Sequence, residues 1–289
     1  MKFSAIWGML SDLWLAMTIG LQPTLLAVLN NPSLLLHPSA ISRFFMAKIW
    51  EKYGPGTDQN SRAEKEKLIW PYAKGVVVDA GAGHGVSALY LDRTKVTKYV
   101  AVEPNVAMHD HIRRTAASAG FAEDDGSLVV LGCGIEDVEA IRDALGGSGA
   151  DTIISVLTLC SIPNPHPTIR TLVHDLLAPG GTLLFYEHVL SHRADVAWWQ
   201  RFWAPVWRVP FDGCRLDQPT HLWIAEAGDV DVLRAGADKR RRERGDGGRE
   251  AGSDGEGGSL WAIQETWGKE GETEDTLFWH QAGRFVKRR

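Results

Sequence analysis

Cysteine is scarce in this chain: 289 residues hold three, Cys133, Cys160 and Cys214. They are odd in number, far apart and in no Cys-x-x-Cys pair, which argues against a disulfide framework and against a zinc site and fits a reducing compartment. Excess charge is missing too. With 31 Lys and Arg against 36 Asp and Glu, the net charge is −5 with histidine neutral, which supplies no general attraction to nucleic acid. Between Trp14 and Leu29 charge is absent altogether. Gly20 and Pro23 interrupt that run, however, and it falls short of the ~20 residues a spanning helix needs. Phe3–Leu29 is expected to act as a membrane anchor or an in-plane hydrophobic segment, the competing expectation being a hydrophobic helix packed on the folded domain. No small-x-small site follows the run cleanly to mark a cleaved signal peptide. The length suits one large α/β domain with appendages and is short for two enzymes.

What is present is a glycine loop. Gly75–Gly85 reads Gly-Val-Val-Val-Asp-Ala-Gly-Ala-Gly-His-Gly: a β-branched run of the kind buried on both faces of a sheet, ended by Asp79, then glycines at 81, 83 and 85. Val86–Leu91 restarts an apolar pattern at helical spacing, so the unit reads strand, tight loop, helix. Glycine allows unusual backbone angles and lets a ligand lie against bare main chain. The dinucleotide fingerprint needs its third glycine three residues after the second, and that position holds Val86, which counts against a nicotinamide cofactor.

Further strands follow in order. Lys98–Pro104 is a second buried strand ended by Glu103, a carboxylate placed to accept from both hydroxyls of a ribose. Asn105–Ala119 reads as a helix, with His109 and His111 expected at the surface because no third metal ligand is evident. Leu128–Leu131 is a third strand, running into Gly-Cys-Gly-Ile135-Glu136-Asp137, where Asp137 can also simply cap the next helix. Asp151–Cys160 is a fourth strand with a polar exit at Thr158. Thr168–Leu177 reads as a helix, and Ala-Pro-Gly-Gly at 178–181 turns the chain into Thr182–His188, the fifth strand. Glu187 and His188 stand at its end, where α/β sheets place their ligand crevice.

Flanking segments are less regular. Pro38–Tyr53 has helical spacing after a Ser39 cap, and Phe44, Phe45, Ile49 and Trp50 can either roof a pocket or fill a core. Gly54–Asn60 reads as a connection and Arg62–Trp70 as a charged helix. Asp195–Trp207 is tryptophan-rich and helix-like until Pro205, and Phe211–Leu216 follows with Asp212. Residues 228–258 shift to Arg, Gly, Asp and Glu, a composition expected of a low-complexity, disordered insertion. Ser259–Trp267 and Thr276–Val286 are two strand-like runs that form a hairpin.

An acid two places before three alternating glycines resembles motif I of the class I S-adenosylmethionine-dependent methyltransferases. The strand exit at Thr158 resembles their motif IV, and Leu177–Leu183 resembles their Leu-x-Pro-Gly-Gly-x-Leu turn. The resemblance implies a Rossmann-like α/β fold: a mostly parallel seven-stranded sheet with a C-terminal antiparallel hairpin, preceded by an N-terminal hydrophobic helical segment. Together with the shifts in composition, it divides the chain into a hydrophobic segment (1–37), a helical lead-in (38–74), the core (75–227), an insertion without a counterpart in that family (228–258) and the hairpin (259–289). S-adenosyl-L-methionine is the implied cofactor, with no metal. Asp79, Gly81, Gly83, Gly85, Glu103, Ile135, Glu136 and Thr158 would hold it: Asp79 toward the ammonium end, directly or through water, Ile135 on the adenine and Glu136 on its exocyclic amine.

A narrower similarity runs through Thr158-Leu-Cys-Ser161, Tyr186-Glu-His-Val189, the tryptophan-rich helix, Asp212-Gly-Cys214 and His280–Phe285. These strings resemble the methyltransferase-like 7 group of membrane-associated thiol S-methyltransferases. The implied partner is a small-molecule acceptor such as a thiol, with the N-terminal segment on a membrane surface and the catalytic domain facing the cytosol. A thiol has a pKa of about 8.5 and needs little from a base, while Glu187, His188 or Asp212 can assist a weaker acid. An O-methyltransferase, a nucleotide-cofactor oxidoreductase and a non-catalytic membrane-tethered cofactor-binding module stay open as alternatives.

Overall fold

Val77 and Val78 project to opposite faces of β1 (Gly75–Ala80), and both are fully buried. A strand covered on both sides is what the β-branched run encodes. The computed structural model, which describes residues 3–229 and 259–289, places β1 in a seven-stranded sheet. Two long helices come first, α1 (Phe3–Asn30) and α2 (Pro38–Leu68). After β1 come β2 (Val96–Val102), α3 (His109–Ser118), β3 (Leu128–Leu131), α4 (Val138–Ala144), β4 (Ala150–Val156) and α5 (Pro165–Thr171). The chain ends with β5 (Leu177–His188), α6 (Ala194–Trp207), α7 (Thr220–Ala227), β6 (Trp261–Gly268) and β7 (His280–Lys287).

Strand order is β3-β2-β1-β4-β5-β7-β6. The first five strands run parallel, while β7 pairs antiparallel with both β5 and β6. This is the Rossmann-like methyltransferase architecture, with an apolar helix at the N-terminal side. Most of the insertion expected over 228–258 lies outside the described residues.

The two sheet faces are separate cores. Val78, Ala80, Val100, Val102 and Phe285 pack beneath α4, α5 and α7, while Val77, Tyr99, Ala101 and Tyr186 pack beneath α3 and the end of α2. A third cluster caps the carboxyl ends of the strands, joining Met9 and Ala16 of α1, Phe45 and Ile49 of α2, and Val196 and Trp207 of α6. The crevice lies between this cap and the sheet.

Local pattern and structure part company in several places: α2 starts at Pro38 with His37, not Ser39, at its cap, residues 178–181 belong to β5, and α6 continues past Pro205 to Trp207. The helix expected over Val86–Leu91 is a single 3₁₀ turn, Val86–Tyr90, which the chain leaves in extended conformation at Leu91. The connection expected over Gly54–Asn60 is instead part of α2, which continues through Pro55. An interior proline costs a helix about 3 kcal/mol, and tertiary contacts offset it. Asp58 pairs with the buried Lys65 and accepts from the Tyr90 hydroxyl at 2.6 Å. Six residues after Asp58, Glu64 accepts from Trp267 Nε1 at 2.9 Å and from the Glu270 amide at 3.1 Å.

α1 presents two kinds of surface. Met9, Ala16 and Thr24 are buried, and the Phe45 ring occupies the space a side chain at Gly20 would need. The opposite stripe is exposed and apolar, with Trp7 at 71% and Trp14 at 69% of full exposure. The segment Trp7–Asn30 is also long and apolar enough to cross a membrane. Helix packing and an outward hydrophobic face therefore coexist in one element.

Candidate active site

The glycine loop is bent by positive φ at Gly81 (+61°) and Gly83 (+57°). A Cβ at Gly81 would lie 2.4 Å from the Thr158 side chain, and one at Gly83 would lie 3.2 Å from Trp50 Nε1. The loop is thus bare main chain held between the exit of β4 and the roof of α2, and only glycine fits both the angle and the space. Beside it opens a cavity of about 550 Å³, within the usual range for a cofactor and a small substrate.

Several predicted residues meet there. Gly81, Gly83, Glu103, Ile135, Glu136 and Thr158 line one half, and His188 and Asp212 line the other. Glu103 Oε2 accepts from the Gly83 amide and Oε1 from the Asn105 amide, each at 2.8 Å. Burial raises its pKa while those two hydrogen bonds oppose the rise. Asp137 does cap α4, accepting from the Ala140 amide at 3.3 Å, so the turn serves both the helix and the cavity wall. Asp212 takes φ +45°, a conformation that a non-glycine residue adopts at a cost and that clusters at functional sites. Burial raises its pKa against the pull of Arg43.

Other expectations are corrected. Asp79 does not line the cavity; its carboxylate is buried below the loop and accepts from the Tyr99 hydroxyl at 2.6 Å. Successive residues of a strand face opposite sides, so Asp79 shares the face of Val77. Gly85 turns the chain in the left-handed region against the Ile112 backbone and stays off the wall. Glu187 is fully buried and also off the wall: its Oε1 accepts from the Ser155 hydroxyl (2.6 Å) and the amides of Thr158 (3.0 Å) and Leu159 (3.1 Å). It positions the β4 exit loop. His109, expected at the surface, is buried, with Nε2 2.8 Å from the Glu103 carbonyl oxygen.

The cap supplies what the motifs did not reveal. Asp12, Arg43, Trp50 and Tyr53 close the cavity from α1 and α2, and Tyr186, Trp207, Phe211 and Phe278 form its apolar end. The Tyr53 hydroxyl donates to the Asp12 carbonyl at 2.8 Å, and burial, with the nearby Asp12 charge, pushes its pKa up to about 12. Of the large apolar residues of α2 expected to roof the pocket, Trp50 does so, whereas Phe45 and Ile49 are core. Trp198 and Phe202 face outward. Cys160 and Cys214 are 54 residues apart in sequence, yet their sulfurs lie 3.5 Å from each other. Both occur in strings singled out above, but nothing in the spacing announced their contact.

Asp79 yields a stability test. Burial pushes its pKa up to about 6, against hydrogen bonds from Tyr99 and Ser87, so the unfolded chain loses this proton at lower pH than the folded one. The favourable contribution is complete below pH ~4 and is lost as pH rises toward ~6, a change on the order of 3 kcal/mol. Urea unfolding of Asp79→Asn and wild type across that window is expected to show the variant gaining on wild type as pH rises. Parallel profiles would contradict the buried, proton-holding role.

Residues 57–227 match the methyltransferase domain family. Among relatives, rat thiol S-methyltransferase TMT1B is 30% identical over 153 residues, covering 52% of this chain and 58% of the relative. Human thiol S-methyltransferase TMT1A is 27% identical over 156 residues, covering 52% and 58%. The chain thus matches little more than half the length of these relatives. Among solved structures, a Nostoc punctiforme protein assigned as an O-methyltransferase superposes with a TM-score of 0.53 at 12% identity, covering 94% of this chain and 71% of that one. A chain from the Haloferax volcanii complex between the Trm112 methyltransferase activator and a methyltransferase gives 0.50 at 13% identity, covering 88% and 98%. These two likenesses concern the fold alone. With more than half of its length matched and the strand order in place, the chain belongs to the methyltransferase domain family.

Proposed function

We propose that the chain is an S-adenosylmethionine-dependent methyltransferase acting on a small apolar nucleophile, foremost a thiol, at a membrane surface. The observation that carries this is one continuous cavity whose two halves differ in chemistry. Gly81, Gly83, Glu103 and Glu136 line one part, and Tyr186, Trp207, Phe211 and Phe278 line another.

The first half fits the cofactor. Glu103 and Glu136 line it, and among the described residues Arg43 is the one guanidinium on the whole cavity wall, a balance that favours a cationic ligand over a pyrophosphate. A dinucleotide site sets its phosphates at the N-terminus of a full helix, whereas here the loop leads into a five-residue 3₁₀ turn. Glu103 accepts from the ribose hydroxyls, Ile135 offers an apolar face to the adenine, and Glu136 accepts from the exocyclic amine. When bound, S-adenosylmethionine supplies a methyl group on a positively charged sulfur.

The chain's own task is then alignment. Leu157 and Thr158 line the cavity between its two halves, and Leu157 is held at φ +55°, fixing the wall against which the nucleophile must sit. Tyr186, Trp207, Phe211 and Phe278 concentrate apolar acceptors and exclude water. Holding two reacting atoms in line supplies much of the rate enhancement such a displacement needs. A thiol ionises readily enough to react in a site with little base.

The test is a methylation screen of the purified full chain with methyl-labelled cofactor against matched thiols, phenols, amines and carboxylic acids. Thiols are expected to react fastest. Preference for a carboxylate or for nucleic acid would overturn the thiol assignment, and retained cofactor with no turnover on any panel would overturn the enzymatic one.

Attachment to the membrane is proposed to be in-plane, with the catalytic domain facing the reducing cytosol that three free thiols fit. Spanning would strip Met9 and Ala16 from the cap and Asp12 from the cavity wall, whereas lying flat buries the exposed stripe of Trp7, Trp14 and Leu21 as it stands. The full chain is expected to float with phosphatidylcholine vesicles, and Trp7→Ser with Trp14→Ser to release it while cofactor binding persists. A wild-type chain that stays in the soluble fraction would contradict this.

A further inference from the structure

Three side chains with metal-binding atoms converge at the acceptor end of the cavity. Cys160 lies just beyond β4, His188 ends β5 and Cys214 follows α6. The two sulfurs are 3.5 Å apart, Cys214 Sγ is 4.0 Å from His188 Nδ1, and all three ligand atoms lie within 4.8 Å of one another. A zinc ion in tetrahedral geometry holds two thiolate sulfurs about 3.8 Å apart, and a sulfur and an imidazole nitrogen about 3.5 Å apart. The observed triangle is close to one face of that tetrahedron.

We propose that Cys160, His188 and Cys214 form a site for a thiophilic divalent cation of the zinc class. Sequence spacing argued against such a site because no two of these residues are neighbours in the chain; the fold supplies what spacing lacks. Both thiols are buried, and the backbone around them is tied down: the Arg215 amide donates to the Cys160 carbonyl at 2.9 Å and the Cys214 amide to the Phe211 carbonyl at 3.0 Å. Such anchoring limits the reorganisation that binding requires. Glu187, next to His188 in the chain, is a fully buried carboxylate whose Oε2 has no hydrogen-bond partner among the described residues.

Three protein ligands leave a fourth position open, the arrangement of catalytic rather than structural zinc sites. His188 and Cys214 line the cavity, so that position faces the acceptor half. There it takes the sulfur of an acceptor as thiolate, the thiol proton passing to solvent. This last role rests on the thiol reading above; the metal site itself does not.

The experiment uses the purified full chain, stripped with a chelator and titrated with Co²⁺ as probe. One equivalent is expected to bind, with the near-ultraviolet sulfur-to-cobalt band and strong visible bands of a tetrahedral thiolate site. Those bands are expected to vanish in Cys214→Ser and Cys160→Ala and to persist in Cys133→Ser. Because core cysteine variants can misfold, wild type is also alkylated with and without Zn²⁺: selective protection of Cys160 and Cys214, read by peptide mass mapping, supports the site without any substitution. Absence of stoichiometric binding, equal binding by folded Cys214→Ser, or no protection overturns it. Adding a small thiol to the cobalt-loaded protein is expected to shift the visible bands, and an unchanged spectrum removes the acceptor role. None of these readouts uses methyl transfer, so failure of the methyltransferase reading shows itself separately.

Discussion

A buried carboxylate at the end of β5 holds the crevice in shape. Glu187 gathers the Ser155 hydroxyl and the amides of Thr158 and Leu159 onto one oxygen, and this fixes the turn by which the chain leaves β4. Thr158 is thereby set against Gly81 so closely that a Cβ there would collide with it. The two loops that shape the cavity floor thus depend on one side chain that never touches the cavity. Leaving such donors unsatisfied costs about 1–3 kcal/mol each, a substantial share of a domain's net stability.

Above that floor the cap decides what can enter. α1, α2 and α6 share one cluster through Met9, Phe45 and Trp207, and the same helices contribute Asp12, Trp50 and Trp207 to the wall. The outer side of this cap carries the exposed Trp7, Trp14, Trp198 and Phe202. The exposed apolar surface and the apolar end of the cavity are thus built from the same helices.

The sheet was legible in the sequence because each parallel strand is a short apolar run ended by a polar residue, and both faces must be buried. Part of the cavity wall was legible for a related reason: Glu103 directly follows β2, and Ile135 and Glu136 lie in the loop that leaves β3. Errors arose where direction, not position, mattered. Asp79 and Glu187 lie at the expected strand ends but project to faces away from the cavity, while the adjacent His188 reaches it; a period of two separates the neighbours. The continuity of α2 through Pro55 and the meeting of Cys160 with Cys214 depend on contacts across 7 to 206 residues. Local pattern carries no trace of them.

The central claim is that the glycine loop and Glu103 form one nucleoside-binding surface, and calorimetry with S-adenosylhomocysteine tests it most directly. Glu103 is buried and accepts from two backbone amides, and removing one partner of a hydrogen bond to such a carboxyl group costs ~1.5–3 kcal/mol. The wild-type chain is therefore expected to bind the ligand, and Glu103→Ala to bind it roughly ten- to a hundredfold more weakly while remaining folded. Unchanged affinity in a folded Glu103→Ala variant, or no binding by the wild-type chain, would contradict the account.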